Sequence, residues 1–129
     1  MLISVLFAPK SNKTRSFLPV DLNIALPIAT DSVSIDAASN TITLYGPGSS
    51  GYSGNGLNII TSNCLIKNLR ITNFNGNGIY INSASAVTNT IEGCKIYSNL
   101  GSNGNGINIY SARYNLIKGC LIGTLDGTT

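Results

Sequence analysis

Gly54-Asn55-Gly56-Leu57-Asn58-Ile59, Gly76-Asn77-Gly78-Ile79-Tyr80-Ile81 and Gly104-Asn105-Gly106-Ile107-Asn108-Ile109 are three copies of one phrase. Each reads Gly-Asn-Gly, a branched aliphatic, one further residue, then isoleucine. The copies begin 22 and 28 residues apart, which is the spacing of a stacked repeat rather than of an ordinary globular domain. Such a unit cannot bury its apolar edge alone and needs a neighbour on each side.

Downstream of each copy lies a second half that aligns more tightly. Ile66-Lys67-Asn68-Leu69-Arg70-Ile71 matches Ile91-Glu92-Gly93-Cys94-Lys95-Ile96 and Ile117-Lys118-Gly119-Cys120-Leu121-Ile122, at separations of 25 and 26 residues. Each unit therefore reads as three short strands. The first is the Gly-aliphatic-x-Ile run, the second ends at Ile66, Ile91 or Ile117, and the third is centred on Ile71, Ile96 or Ile122. Within each strand inward aliphatics alternate with outward Asn, Tyr or Lys, the period of two that belongs to strands. The Asn, Gly, Ser, Thr and Ile that fill these segments are poor helix formers.

A hairpin meander does not need like residues to recur at one full-turn spacing. A coil of parallel strands does, because residue n stacks over residue n plus one turn at about 4.8 Å. The expected columns are Ile59, Ile81, Ile109; Ile66, Ile91, Ile117; and Ile71, Ile96, Ile122. The fold class is all-β, a parallel β-helix (solenoid) of about four turns with three short strands per turn. Ser32 to Asp36 and Thr41 to Tyr45 make an atypical first turn, and Pro47, Gly48, Gly51 and Gly54 mark a long loop into the regular repeats. Residues 1–20 read as an N-terminal arm or linker and residues 21–129 as one β-helix domain.

Composition narrows the function. Of 129 residues 43% are apolar but only 10% charged, against a typical quarter, so uncharged polar residues fill the surface role. The eight basic and five acidic residues are scattered, with no Lys/Arg cluster to form a nucleic-acid groove. There is no histidine, which removes the usual general base, the commonest zinc ligand and any triad. Cys64, Cys94 and Cys120 are too few and too far apart for a zinc knuckle or a disulfide framework. No apolar run approaches the roughly 20 residues of a membrane helix, and the apolar Met1–Pro9 stretch has no basic segment before it, so it makes a poor signal peptide. No metal and no cofactor is implied.

The repeats resemble those of right-handed parallel β-helix proteins of the pectate-lyase-like superfamily. They are similar above all to large bacterial secreted or surface proteins whose repeats end in Ile-Gly-Thr. Ala25-Leu26-Pro27-Ile28, Val33-Ser34-Ile35-Asp36, the three Gly-Asn-Gly units, Asn115-Leu116-Ile117-Lys118-Gly119 and Ile122-Gly123-Thr124 carry the likeness. It covers about residues 25 to 129. It implies a right-handed coil, a location outside the cell or on its surface, and a chain that is a fragment or an assembly subunit of something longer. Family members often place Asp directly after Ile-Gly-Thr, whereas here Leu125 intervenes before Asp126.

Enzymes on this fold use acidic clusters on one sheet, and paired-carboxylate chemistry wants two acids within about 5 to 10 Å. Asp21, Asp31, Asp36, Glu92 and Asp126 are all the acids present, and only Glu92 lies inside the regular repeats before the final turn. Lys67, Glu92 and Lys118 share one position and are expected to stack as a charge sandwich, which is favoured over a general base. No catalytic residue is therefore assigned. Arg70 and Lys95 coincide in another column, below Leu121, and are solvated or meet an acidic glycan. Cys94 and Cys120 stack above Leu69. Their Cα spacing allows a disulfide, but two inward thiols are favoured because Leu69 shows that the column takes an apolar group.

The Gly-Asn-Gly units lack the Lys-Ser/Thr and helix of a phosphate loop. They read instead as corners, with Gly supplying φ > 0 and Asn tolerating left-handed backbone. Asn55, Asn77 and Asn105 form an amide ladder along the coil. The six tyrosines do not fall in one column. Tyr80, outward between Asn58 and Asn108, together with Tyr110, Arg70 and Lys95, makes the candidate ligand surface. The residues point to a non-enzymatic structural, adhesive or glycan-binding module that self-associates through its ends. Its candidate partners are polysaccharide and further copies of itself. The alternative is a polysaccharide lyase or glycoside hydrolase, or an inactive piece of one.

Overall fold

The computed structural model describes residues 20–21, 26–27, 32–38, 42–48, 54–100 and 104–123. Almost all of the expected N-terminal arm, with Tyr52, Thr124 and Asp126, lies outside them. The described elements are thirteen short strands: β1 (Val20–Asp21), β2 (Leu26–Pro27), β3 (Ser34–Asp36), β4 (Ile42–Tyr45), β5 (Leu57–Ile59), β6 (Leu65–Lys67) and β7 (Leu69–Thr72), then β8 (Ile79–Asn82), β9 (Thr90–Glu92), β10 (Lys95–Tyr97), β11 (Ile107–Tyr110), β12 (Leu116–Lys118) and β13 (Leu121–Ile122).

They form three sheets, ordered β1-β4-β7-β10-β13, β2-β5-β8-β11 and β3-β6-β9-β12. Every neighbour is three strands away in sequence, and the pairings are parallel. A chain that visits three sheets in rotation and returns to each in parallel is a β-helix. The four turns are β2–β4, β5–β7, β8–β10 and β11–β13.

The isoleucine columns are in register. Ile59 pairs with Ile81 and Ile81 with Ile109; Ile66 pairs with Ile91 and Ile91 with Ile117; Ile71 pairs with Ile96 and Ile96 with Ile122. Two strands upstream join them, because Ile35 pairs with Ile66 and Leu44 with Ile71. Ile66, Ile91 and Ile117 sit at the centres of their strands rather than at the ends. Alternation sets burial: β8 reads buried, half-buried, buried, half-buried along Ile79–Asn82. Leu57, Ile59, Ile66, Ile71, Ile79, Ile81, Ile91 and Ile96 are fully buried. Burying one such side chain contributes about 1.5–3 kcal/mol.

The corners differ from the sequence expectation. Gly56, Gly76, Gly78 and Gly106 of the Gly-Asn-Gly units do not have positive φ. The left-handed residues stand elsewhere, in the three later turns mostly at three recurring places: Asn68, Gly93 and Gly119 between the second and third strands, Asn63, Thr88 and Tyr114 before the second, and Asn73, Ser98 and Gly123 after the third, with Ser111 after β11 as an extra and Ala38 and Gly48 in the first turn. A single left-handed residue redirects the chain sharply, so each place bends every turn in the same way. What the Gly-Asn-Gly glycines supply is room. A Cβ on Gly78 would lie 2.5 Å from Ile96 Cγ2 and 2.7 Å from the Gly106 carbonyl. Glycine is required there because successive turns touch backbone to backbone.

Polar ladders and a candidate ligand surface

Asn55, Asn77 and Asn105 meet at the corner entering the first strand of each turn. Asn77 donates from its backbone N–H and from Nδ2 to Asn55 Oδ1, at 2.8 and 2.9 Å. Asn105 makes the same two bonds to Asn77 Oδ1, at 3.3 and 3.1 Å. The Asn55 and Asn77 amide oxygens thus each take two protons from the turn above, and the Asn77 and Asn105 nitrogens each give one to the turn below, whereas Asn55 Nδ2 donates to Asn58 Oδ1 within its own turn. The ladder satisfies corner backbone that no strand pairing reaches. Gly56 N–H and Gly78 N–H complete it by donating to the Asn77 and Asn105 carbonyls.

A second ladder, which the sequence reading missed, runs through Asn89 and Asn115. Asn89 Oδ1 accepts from Cys64 N–H at 2.7 Å, and Asn115 Oδ1 accepts from Asn89 N–H at 3.0 Å. Their Nδ2 groups donate to the Thr61 and Ala86 carbonyls. Asn89 is fully buried. The signal was present: Asn89 and Asn115 each stand two residues before a column isoleucine, where the preceding turn has Cys64 before Ile66. Among the described residues every buried side-chain nitrogen and oxygen has a partner.

On the β3-β6-β9-β12 sheet, Glu92 lies between two lysines, with Lys67 Nζ 3.4 Å from one carboxylate oxygen and Lys118 Nζ 3.4 Å from the other. Asp36 extends the column one turn further, in register with Lys67, so charge alternates over four positions. The Ala38 N–H and the Asn68 side-chain amide, each 2.8 Å from Asp36 Oδ1, hold that carboxyl below its ordinary pKa. These side chains are partly exposed, so each ion pair is worth under about 1 kcal/mol.

Cys64, Cys94 and Cys120 are free thiols. Cys94 Sγ donates to the Ile66 and Glu92 carbonyls and Cys120 Sγ to those of Ile91 and Lys118. Burial pushes the Cys94 thiol up to about 11 and raises that of Cys64. A thiol held neutral is a poor nucleophile and a poor metal ligand. Among the described residues no three His, Cys, Asp or Glu side chains are placed to hold a metal, and no helix is long and apolar enough to cross a membrane.

The four residues of the candidate ligand surface divide between two faces. Tyr80 and Tyr110 belong to the β5-β8-β11 sheet, where Tyr80 pairs with Asn58 and Asn108, and Tyr110 with Asn82. The two rings are thus diagonal neighbours, about 8 Å apart by strand geometry. Arg70 and Lys95 are directly paired on the β4-β7-β10 sheet. The tyrosines are also more ordered than the sequence suggested: Tyr45 and Tyr97 share one row, through Thr72. A cavity of about 250 Å³ adjoins Tyr97, at the corner where Asn99 stands above Phe74.

The description "Right handed beta helix region" matches residues 55–127, more than half of the chain. The chain belongs to the right-handed β-helix family. The matched span starts at Asn55 and takes in the three regular turns β5–β13, while the first turn, β2–β4, lies outside it but is paired in register with them. No curated protein and no solved structure matches the chain. Membership in this right-handed β-helix family gives the fold and the handedness, and a fold of this kind hosts many activities.

Proposed function

We propose that the protein is a non-enzymatic β-helix module, a structural or adhesive element that binds glycan at its outward sheet faces and acts outside the cell or on its surface. The observation that carries this reading is the position of Glu92. It is the acid of the central repeats, and both its oxygens are engaged by lysines of the turns on either side. Those ion pairs occupy both carboxylate oxygens, whereas a general acid or base needs a free carboxyl near a reacting proton. The polar side chains of the corners are likewise spent on holding one turn to the next.

The outer layer formed by β11, β12 and β13 supports a self-associating role. Ile109, Leu116 and Ile122 are 42%, 50% and 44% exposed, and among the described residues no strand pairs with the outer edges of β11, β12 and β13, edges of the kind that recruit another strand. On this reading a further coil, from the same chain or another copy, stacks there. Sedimentation across a wide concentration range is expected to show association, and a strict monomer at high concentration removes this part of the proposal.

The competing lyase or hydrolase reading is tested by release of reducing ends or unsaturated uronates from pectin and alginate. The expected result is no turnover above background. Turnover abolished by Glu92→Gln, with the fold intact, would sink the non-enzymatic reading.

A further inference from the structure

Among the described residues the coil ends on one strand edge in each of its three sheets. At one end these edges belong to β1, β2 and β3, and at the other to β13, β11 and β12. Every pairing between the two ends is parallel. A second copy set on the outer turn, pointing the same way, therefore brings each sheet a parallel strand at about 4.8 Å.

The two ends carry opposite charge. Residues 20–48, which hold β1 to β4, include Asp21, Asp31 and Asp36 and no lysine or arginine. Residues 104–123, which hold β11 to β13, include Arg113 and Lys118 and no acid. Lys10, Lys13 and Arg15 precede the first turn and lie outside the described residues. One column makes the match specific. Asp36, Lys67, Glu92 and Lys118 are in register along the β3-β6-β9-β12 sheet, and Glu92 is held by a lysine on each side. Among the described residues Lys118 meets an acid on one side only, and its side chain is 52% exposed. Asp36, at the other end, is also exposed, and its hydrogen bonds from Ala38 N–H and Asn68 Nδ2 both fall on Oδ1.

Backbone and core repeat the same step. Leu65 N–H donates to the Val33 carbonyl, Thr90 N–H to that of Cys64 and Leu116 N–H to that of Asn89. One turn further, the Asn115 carbonyl receives the N–H of the partner's Ser34. That register sets the partner's Ile35 on Ile117 and the partner's Asp36 on Lys118, so the isoleucine column and the charge alternation both run on across the junction. A two-fold arrangement does the opposite: two outer turns face to face oppose cation to cation, and two first turns oppose acid to acid.

We propose that the chain stacks head to tail on further copies of itself, the β11–β13 turn of one copy seated on the β1–β3 edges of the next, with Lys118 paired to the partner's Asp36. The inference rests on the self-association part of the proposed function and gives it a polarity and a junction. A heterologous contact that adds one coil to another along the same axis does not close, so its product is a filament rather than a dimer.

The test is sedimentation velocity of the full chain and of its Lys118→Glu and Asp36→Lys variants, each alone and then mixed. The unsubstituted chain is expected to give a series of species that lengthens with concentration. Each variant alone sets like charges at every junction and is expected to associate about tenfold more weakly. Both side chains are exposed, so circular dichroism melts are expected to show both variants folded. In an equimolar mixture each junction between unlike variants again joins opposite charges. Association is expected to return to within about threefold of the unsubstituted chain, as alternating filaments. The double variant Asp36→Lys/Lys118→Glu is expected to self-associate to the same extent.

Association that neither variant weakens, or that stops at a dimer, overturns the head-to-tail junction and leaves self-association standing. Weakening that neither the mixture nor the double variant reverses overturns the pairing of Lys118 with the partner's Asp36. A strict monomer at high concentration overturns both the junction and the self-association on which it rests.

Discussion

Ile81 and Ile109 are adjacent rungs of one column, written by the same phrase of sequence and paired Cα to Cα. Ile81 is 0% exposed and Ile109 42%. The contrast extends to whole layers: the turns β5–β7 and β8–β10 hold most of the fully buried residues, whereas the β11–β13 turn carries most of the exposed large apolar ones. In a solenoid, burial follows from having a turn on both sides, and the letter of the sequence does not decide it. The middle turns are therefore expected to carry the stability and the outer layer to be the more tolerant of change.

The largest effect expected from breaking this contrast is that of a charge in the column. Ile81→Asp places an unpaired carboxylate among fully buried side chains and is expected to cost more than about 4 kcal/mol, enough to unfold the domain. Ile109→Asp, with water at hand, is expected to cost less than half of that, and Tyr80→Ser under about 1 kcal/mol. Circular dichroism melts of the three compare them directly, and equal tolerance at Ile81 and Tyr80 removes the inward/outward assignment.

Glycine supplies the next test. The Cβ of Gly78→Ala meets both a side chain and the Gly106 carbonyl of the next turn, whereas that of Gly106→Ala meets chiefly Ile122 Cγ2. Ile122 is 44% exposed and has room to move. Gly78→Ala is thus expected to cost about 2–3 kcal/mol and Gly106→Ala about 1 or less, read by urea denaturation midpoints.

Asn77→Ala removes an amide that serves the turns above and below and is 7% exposed. A loss of about 2 kcal/mol is expected, because the Asn105 N–H and Nδ2 lose their acceptor and Asn55 Oδ1 loses one of its two donors. Asn105→Ala, at an exposed rung, is expected to cost under about 1 kcal/mol. Equal costs would show that the ladder is not read turn by turn.

The smallest expected effect is on pH dependence. The folded pKa of Cys94 is raised to about 11 by burial, above that of the same thiol in the unfolded chain. The native state therefore keeps a proton that the unfolded state loses. The stabilisation is complete below the ordinary thiol pKa of about 8.5 and is lost as pH rises through the folded value. Cys94→Val is expected to flatten the fall in melting temperature between about pH 9 and 11, and an unchanged slope would assign that fall to other groups.

Much of this fold was legible because register in a stacked coil is the same quantity as spacing in the sequence. The 25 and 26 residues separating Ile66, Ile91 and Ile117 are one turn each, and Lys67, Glu92 and Lys118 follow from the same count. The corners were less legible. Asn68, Gly93 and Gly119 share a position in the aligned segments, which is the signature of left-handed backbone, but the conspicuous Gly-Asn-Gly units drew that role to themselves. The Asn89–Asn115 ladder was hidden because Cys64 takes the same place in the turn below.

The amino-acid sequence by itself determined which residues stack, since like residues at one-turn spacing gain a common column only in a coil. It also determined which side of each strand faces inward, since the pleat has a period of two. Only the tertiary structure decided how the outward residues are shared among faces. The bend at each left-handed corner puts Tyr80 and Tyr110 on one sheet and Arg70 and Lys95 on another, and brings Tyr45 into line with Tyr97. Only the tertiary structure decided, too, that Ile81 is sealed and Ile109 is not. Both outcomes depend on what lies one turn away along the axis, and linear spacing carries no record of that.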